Sequence, residues 1–236
     1  GAPDGISELR KWKYLVLLSA LLVTAALEPL YTYWTERTRV LATIMVVVVN
    51  LGVLFAIFEQ RWERWLACFL VAVVLAAGIV HQTAPRWADP AAITYHGFGA
   101  VFFGFAVAII LRGIFQQKTI HIDAVIGALC GYLLAAFTWA NAYALVYLLN
   151  PNSFRLTNTI AEHLGNWYSR HFFFNYFSVT TLASLGYNDM TPVGPIALSL
   201  SWIEVVFGQF YIAVVVAQLV GLKLAESIRQ GNRDSN

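Results

Sequence analysis

Long apolar runs separated by short polar stretches make up most of the chain. A helix that crosses a bilayer needs about 20 mostly apolar residues. Such runs extend from about Tyr14 to Leu30, interrupted late by Glu28 and Pro29, and from Val40 to Phe58 without a charge. Others run from about Trp65 to Val80, from Ala91 to Leu111, from Ala124 to Leu149, and from about Val193 to Leu222 with one acid, Glu204. Backbone polar groups in hydrocarbon must be paired within their own segment, so each run is predicted to be a helix. No fixed-period repeat or low-complexity linker is present.

The stretch between the fifth and sixth runs breaks this pattern. Asn150 to Arg170 is polar, opens on Asn-Pro-Asn-Ser, and reads as an exposed turret. Residues 171–185, HFFFNYFSVTTLASL, are apolar and aromatic but too short to span. A short apolar stretch whose ends return to one side is a re-entrant helix. Non-helical backbone at membrane depth is tolerated only if it is buried in protein or lines a water-filled cavity. Leu185 to Asp189 is therefore expected to do one or the other.

Composition narrows the class. With 59% hydrophobic and 12% charged residues, the chain is too apolar for an ordinary soluble domain. Its net charge of +2 and scattered basic residues argue against nucleic acid as a partner. Cys68 and Cys130 lie inside apolar runs and are expected to be buried thiols. With no Cys-x-x-Cys, His-Glu-x-x-His or nucleophile–base pattern, neither enzyme chemistry nor a cofactor is expected, and no signal peptide is evident. Lys and Arg counts favour cytoplasmic N- and C-termini, with ten basic residues inside against five outside. Trp12, Trp34, Trp62, Trp65, Trp87 and Trp167 fall near span ends as an aromatic belt would. Arg61-Trp62-Glu63-Arg64 reads as an interfacial loop.

YFSVTTLASLGYNDMTP, residues 176–192, resembles the pore helix and selectivity filter of tetrameric potassium channels, whose filter reads Thr-Val-Gly-Tyr-Gly followed by Asp. On that pattern Ser184, Leu185, Gly186, Tyr187 and Asn188 take the filter positions, SLGYN. The segment after it looks like an inner pore helix, with Gly208 at the family's hinge position. GALCGYLLAAFTWANAYALVYLLNP, before it, is similar to the outer pore helix of bacterial members. The resemblance covers roughly 124–224, and the four preceding helices match only in number and topology. It implies rings of backbone carbonyls that replace a cation's water, with K+ held at Ser184, Leu185, Gly186 and Tyr187. Carbonyls that all point to one axis require left-handed dihedrals at alternate residues, which glycine adopts freely. The carbonyl end of the pore helix, around Thr181 to Ala183, would point a partial negative charge at the ion.

This chain departs from the family at two positions. Ser184 keeps the hydroxyl of Thr and loses its methyl. Asn188 replaces the last Gly and, after Gly, best tolerates left-handed dihedrals. Asp189 is either a solvated turn acid or a brace that accepts from Tyr176 or Tyr187, where the family uses Trp.

Glu204, one turn before Gly208, is a functional candidate because a carboxylate at membrane depth is costly. It either faces the cavity or packs behind the filter, accepting from pore-helix hydroxyls such as Thr180 or Thr181. Gln209 and Gln218 either line the cavity or pair between helices. Ile212, Val216 and Val220 share one stripe and form either an apolar gate or plain packing. The fourth run carries only His96 and Arg112, so little voltage dependence is expected. His81 and His96 are pH-sensor candidates, with a structural role the commoner alternative. The 14 or so residues after Leu222 are too few for a ligand-binding module.

The expected architecture is an all-α membrane protein: six transmembrane helices, a re-entrant pore helix and a selectivity filter, in a fourfold homotetramer. A peripheral, voltage-sensor-like domain spans 1–117 and a pore domain spans 118–236. The expected function is passive K+ conduction, with K+ ions and the lipid bilayer as partners, in a plasma (inner) membrane crossed several times. A non-selective monovalent cation channel and a non-conducting subunit with a degenerate filter are the alternatives.

Overall fold

A computed structural model of the chain describes residues 12–33, 36–116, 122–187 and 189–234. Asn188, Trp34, Lys118, Arg10 and Lys11 lie outside the described residues. Each apolar run is helical: α1 (Lys13–Tyr33), α2 (Glu36–Ile57), α3 (Arg61–Thr83), α4 (Ala88–Gln116) and α5 (Ile122–Leu149). The segment that follows contains a strand β1 (Phe154–Leu156), a short helix α6 (Asn158–His163), α7 (Trp167–Leu182) and a strand β2 (Met190–Pro192), before the last helix, α8 (Pro195–Asp234).

Among the described residues, Arg61–Thr83, Pro85–Gln116, Asp123–Leu149 and Pro195–Gly221 are long and apolar enough to cross a membrane. The fold is thus all-α and of membrane type. Even the valine run of α2 is helical, although β-branched side chains weakly disfavour helix in water. In hydrocarbon, pairing every N–H and C=O outweighs that preference.

The largest buried cluster joins α1–α5 to α8, through Leu17, Val53, Phe102, Leu134 and Tyr211. It runs across the expected boundary at 117/118, and α4 lies along α5. α8 packs mainly on α5 and α7. Its Tyr211 hydroxyl donates to the Ala128 carbonyl of α5 at 2.7 Å.

One local expectation is refined and two are corrected. Residues 150–170 are largely exposed, but the segment is anchored. Phe154, Ile160 and Leu164 are buried there against Phe174, Phe177 and Tyr143, and β1 pairs antiparallel with β2, Phe154 opposite Pro192. A few well-spaced apolar anchors dock this segment although its average composition is polar. Arg61-Trp62-Glu63-Arg64 is the first turn of α3, where the Glu63 carboxylate accepts from the Gln60 N–H at 3.4 Å, as in a capping box. Cys68 is exposed, while Cys130 is buried and donates to the Tyr14 carbonyl at 3.4 Å. α3 buries only the face carrying Ala67, Leu70, Val71 and Val74, and Cys68 lies off it.

Tyr211→Phe keeps the ring and removes the inter-helix donor, while the Ala128 carbonyl keeps its partner within α5, at a cost of about 0.5–1.5 kcal/mol. The thermal midpoint of the purified protein is expected to fall; an unchanged midpoint would show that this hydrogen bond does not tie α8 to α5.

Candidate functional site

The site begins at the end of α7. Asn166 caps the helix start, its side chain accepting from the Tyr168 N–H at 2.9 Å. At the other end the Leu185 N–H reaches the Thr180 carbonyl at 2.7 Å and the Ser184 N–H reaches Thr181 at 2.9 Å. This is a Schellman closure, with Ser184 in the left-handed position where glycine is usual. Ser184 has φ +58°, the one positive φ at a non-glycine among the described residues, and Gly186 has φ +63°. A left-handed L-residue costs roughly 1–2 kcal/mol, so Ser184 is held there by the cap.

The closure also fixes where the carbonyls of the last turn go. The Thr180 and Thr181 carbonyls are taken by the cap, and the Leu182 carbonyl is pressed against Gly208 of α8. A Cβ at position 208 would collide with that carbonyl. α8 runs through Gly208 unbroken, so the glycine here permits a close approach of two backbones.

Beyond Ser184 the chain forms a strap. Ala183 to Tyr187 are all exposed, with Leu185 at 57% and Tyr187 at 56%. The Tyr176 hydroxyl donates to Asp189 Oδ2 at 3.2 Å. Burial and this acceptor together hold the Tyr176 hydroxyl above its ordinary pKa. The Tyr176 and Tyr187 rings stack at 6.1 Å. Downstream, the Asp189 carbonyl accepts from the Thr157 N–H at 3.2 Å, and the β1–β2 ladder continues the anchorage. A cleft of about 320 Å3 lies behind the strap, lined by Thr180, Thr181, Ser184, Gly186, Tyr187 and Asp189 among others.

Glu204 is fully buried. It accepts from the Tyr143 hydroxyl at 2.6 Å and from the Ser178 hydroxyl at 2.5 Å. The Ser178 hydrogen is shared with the Ala136 carbonyl at 2.8 Å. Glu204 therefore joins α5, α7 and α8 behind the strap. Thr180 and Thr181, its expected partners, do not serve it; the Thr180 hydroxyl donates back to Phe177 at 2.9 Å. Gln209 Nε2 donates to Ser184 Oγ at 3.0 Å, which settles its pairing and brings α8 to the strap directly. Ile212, Val216 and Val220 are exposed at 46%, 51% and 61% and stand apart from the strap. Tyr143 and Ser178 are the members that sequence reasoning missed. Their one signal is a hydroxyl on an apolar helix, which alone names no partner.

Residues 134–222 match a family model described as "Ion channel". The match begins inside α5 and ends inside α8, so it contains α7, the strap, Glu204 and Gly208. It covers less than half of the chain and supports an ion channel family. Together with the long apolar helices, it supports a multi-pass membrane protein with a role in ion transport. No curated protein matches the chain.

Glu204→Ala removes the acceptor for two buried hydroxyls and leaves a cavity, a loss of about 3 kcal/mol or more. Glu204→Gln keeps the shape and one acceptor oxygen. Thermal midpoints should rank wild type, then Gln, then Ala; equal losses for the two variants would mean that volume alone matters at this site. Gly208→Val should prevent α8 from seating on Leu182, and the protein should be recovered unfolded or aggregated by size-exclusion chromatography. A well-folded Gly208→Val protein would refute the close approach.

Proposed function

We propose that the chain is the subunit of a homotetrameric, K+-conducting channel. In this reading α7 is a re-entrant pore helix, α5 and α8 are the outer and inner pore helices, and α1–α4 form a peripheral domain within 1–117. The strap Ser184–Tyr187, continued by Asn188, is the filter. All six long helices cross the plasma membrane, with both termini cytoplasmic.

The single observation that carries the proposal is the strap's backbone. Positive φ at 184 and 186, on either side of 185, is the alternation that a column of carbonyl ligands calls for. The strap is exposed along its length and lies inside the segment that matches the ion channel family. One chain supplies one column, and a ring of oxygens around an axis requires symmetry copies. The exposed Leu185 and Tyr187 are apolar surface of the kind that neighbouring subunits cover.

Specific roles follow. Ser184 to Tyr187 ligate the dehydrated ion. Asp189 and Tyr176 brace the outer end, Glu204 fixes α7 to α5 and α8, and Gln209 steadies the inner end through Ser184. Ile212, Val216 and Val220 form the apolar gate below. α4 carries too little charge to drive gating by voltage.

Reconstitution into liposomes tests this reading. With K+ and Na+ on opposite sides, the reversal potential is expected near the K+ equilibrium value, with a shallow voltage dependence. Asn188→Gly, which restores the family residue, is expected to raise conductance or selectivity. Equal permeation of K+ and Na+ would favour a non-selective cation channel, the reading to which the Ser184 and Asn188 departures point. No flux from correctly assembled protein would favour a non-conducting subunit.

A further inference from the structure

Five buried side-chain polar atoms have no partner among the described residues: Thr24 Oγ1, Asn50 Oδ1, His96 Nε2, Ser169 Oγ and His171 Nε2. Thr24, Asn50 and His171 line a single cavity of about 60 Å3 where α1, α2 and α5 meet α7, together with Glu28, Asn141 and Asn175. The His96 ring, on α4, lies 4.8 Å from that of His171. Ser169, two residues before His171, is on the opposite face of α7. Thr24 and Asn50 are 8% and 3% exposed.

Hydrogen-bond roles show what the cavity lacks. Asn50 donates its amide to the Val46 carbonyl at 2.8 Å, which leaves its oxygen to accept. Asn141 donates to Phe137 at 2.7 Å, so its oxygen accepts from His96 Nδ1 at 2.9 Å. His171 Nδ1 faces the Trp167 carbonyl at 2.8 Å and must also donate. These partners assign the tautomers, and Nε2 of each neutral ring is then a bare lone pair. Asn175 donates to Glu28 Oε1 at 2.6 Å, leaving the rest of the carboxylate open. The unpartnered atoms are therefore mostly acceptors, and the hydroxyls are the few donors.

The surrounding charges do not fill this need. α1 contributes Glu28; among the described side chains, α2 and α5 present no titratable group to the cavity. α3 brings His81, stacked on Trp167 at 3.9 Å. α4 brings Tyr95 and His96, with Asp89 nearer Arg170. α7 brings Tyr168, Arg170 and His171. Arg170 donates to the Leu164 carbonyl at 3.1 Å and lies over the Tyr147 ring. Among the described residues, Glu28 has no basic partner within ion-pair distance.

We infer that this cavity binds one small monovalent cation, a hydronium or an alkali ion, with its water, opposite Glu28. Such an occupant brings positive charge to an otherwise uncompensated carboxylate and donor hydrogens or Lewis acidity to the bare acceptors. A buried water needs about 10–15 Å3 of such volume, so the cavity has room for the ion and a few waters. If hydronium passes its proton to Glu28, an O–H bond forms on the carboxylate and neutral water remains; the site has gained the same charge. Glu28 belongs to α1 and Asn175 to α7, so the occupant bridges the peripheral helices and the segment that carries the strap.

The test uses the full chain in nanodiscs and reads thermal midpoints, so its outcome is independent of whether the protein conducts. One arm varies pH between about 5 and 9 at fixed alkali. The other replaces Na+ and K+ by N-methylglucamine at fixed pH. Wild type, Glu28→Gln and Asn50→Asp are compared, because ions bound at the strap contribute equally to all three. The wild type is expected to gain stability from cation in one arm, and that arm names the ion. Glu28→Gln should lose this dependence. Asn50→Asp, with a second charge facing the cavity, should shift it to a cation concentration lower by about tenfold. The inference is overturned if the wild type shows no dependence attributable to the cavity, or if Glu28→Gln keeps it; neutral water then fills the space. Should Glu28→Gln fail to fold, an unshifted Asn50→Asp overturns it equally.

Discussion

Backbone that is neither helix nor barrel has to be pinned wherever water is excluded, and the pinning of α7 is what the rest of this structure depends on. The pins are spaced along one face of α8. Glu204 takes the hydroxyls of Tyr143 and Ser178. One turn later Gly208 admits the Leu182 carbonyl, and Gln209 then reaches Ser184. Three contacts of different kinds, a carboxyl acceptor, a close backbone approach and an amide donor, meet the end of α7 in register. Sliding α8 by one residue would break all three, so its register is specified more sharply than apolar packing alone would specify it.

That register explains how an unfavourable dihedral is sustained. Ser184 is left-handed because the Schellman closure needs such a residue, and Gln209 fixes the same residue from outside the helix. The strap then leaves α7 in a defined direction and is caught at Asp189 by Tyr176 and by the Thr157 N–H. Held at both ends, it needs no internal secondary structure. The proposed ion ligands are therefore positioned by groups that are not themselves ligands, which is how a preorganised site keeps its geometry when the ion leaves.

The helices were legible in the sequence because hydrocarbon leaves a long apolar segment one way to satisfy its backbone. The region 150–170 was not. Its docking rests on Phe154, Ile160 and Leu164, three residues in a polar stretch, and average polarity hides them. Cys68 and Cys130 sit in equally apolar runs, yet only Cys130 is buried, because each helix hides one face and the choice of face depends on its neighbours. The burial of Glu204 could be read from the cost of a charge at membrane depth. Its partners could not: Tyr143 and Ser178 lie on other helices, and no spacing along the chain encodes a meeting between elements. Ser184 was readable as a hydroxyl in a filter-like motif, while its second role as the helix cap needed the backbone.

Two carboxylates in this fold, Glu204 and Glu28, make the same argument from opposite sides. Each is set among apolar helices, and each contacts α7. Glu204 is fully buried with two hydroxyl donors, so its acceptor oxygens are already served. Glu28 has one amide donor, and the cavity beside it also presents the unpartnered Asn50 Oδ1 and His171 Nε2. In a low-dielectric interior such an imbalance is not tolerated quietly: either the carboxyl holds a proton or a cation stays near it. A filled polar junction acts as a fixed strut, whereas one that exchanges its occupant changes the contact between α1 and α7 each time it does so. The difference between these two acids therefore separates the rigid support of the strap from the proposed exchangeable contact between α1 and α7.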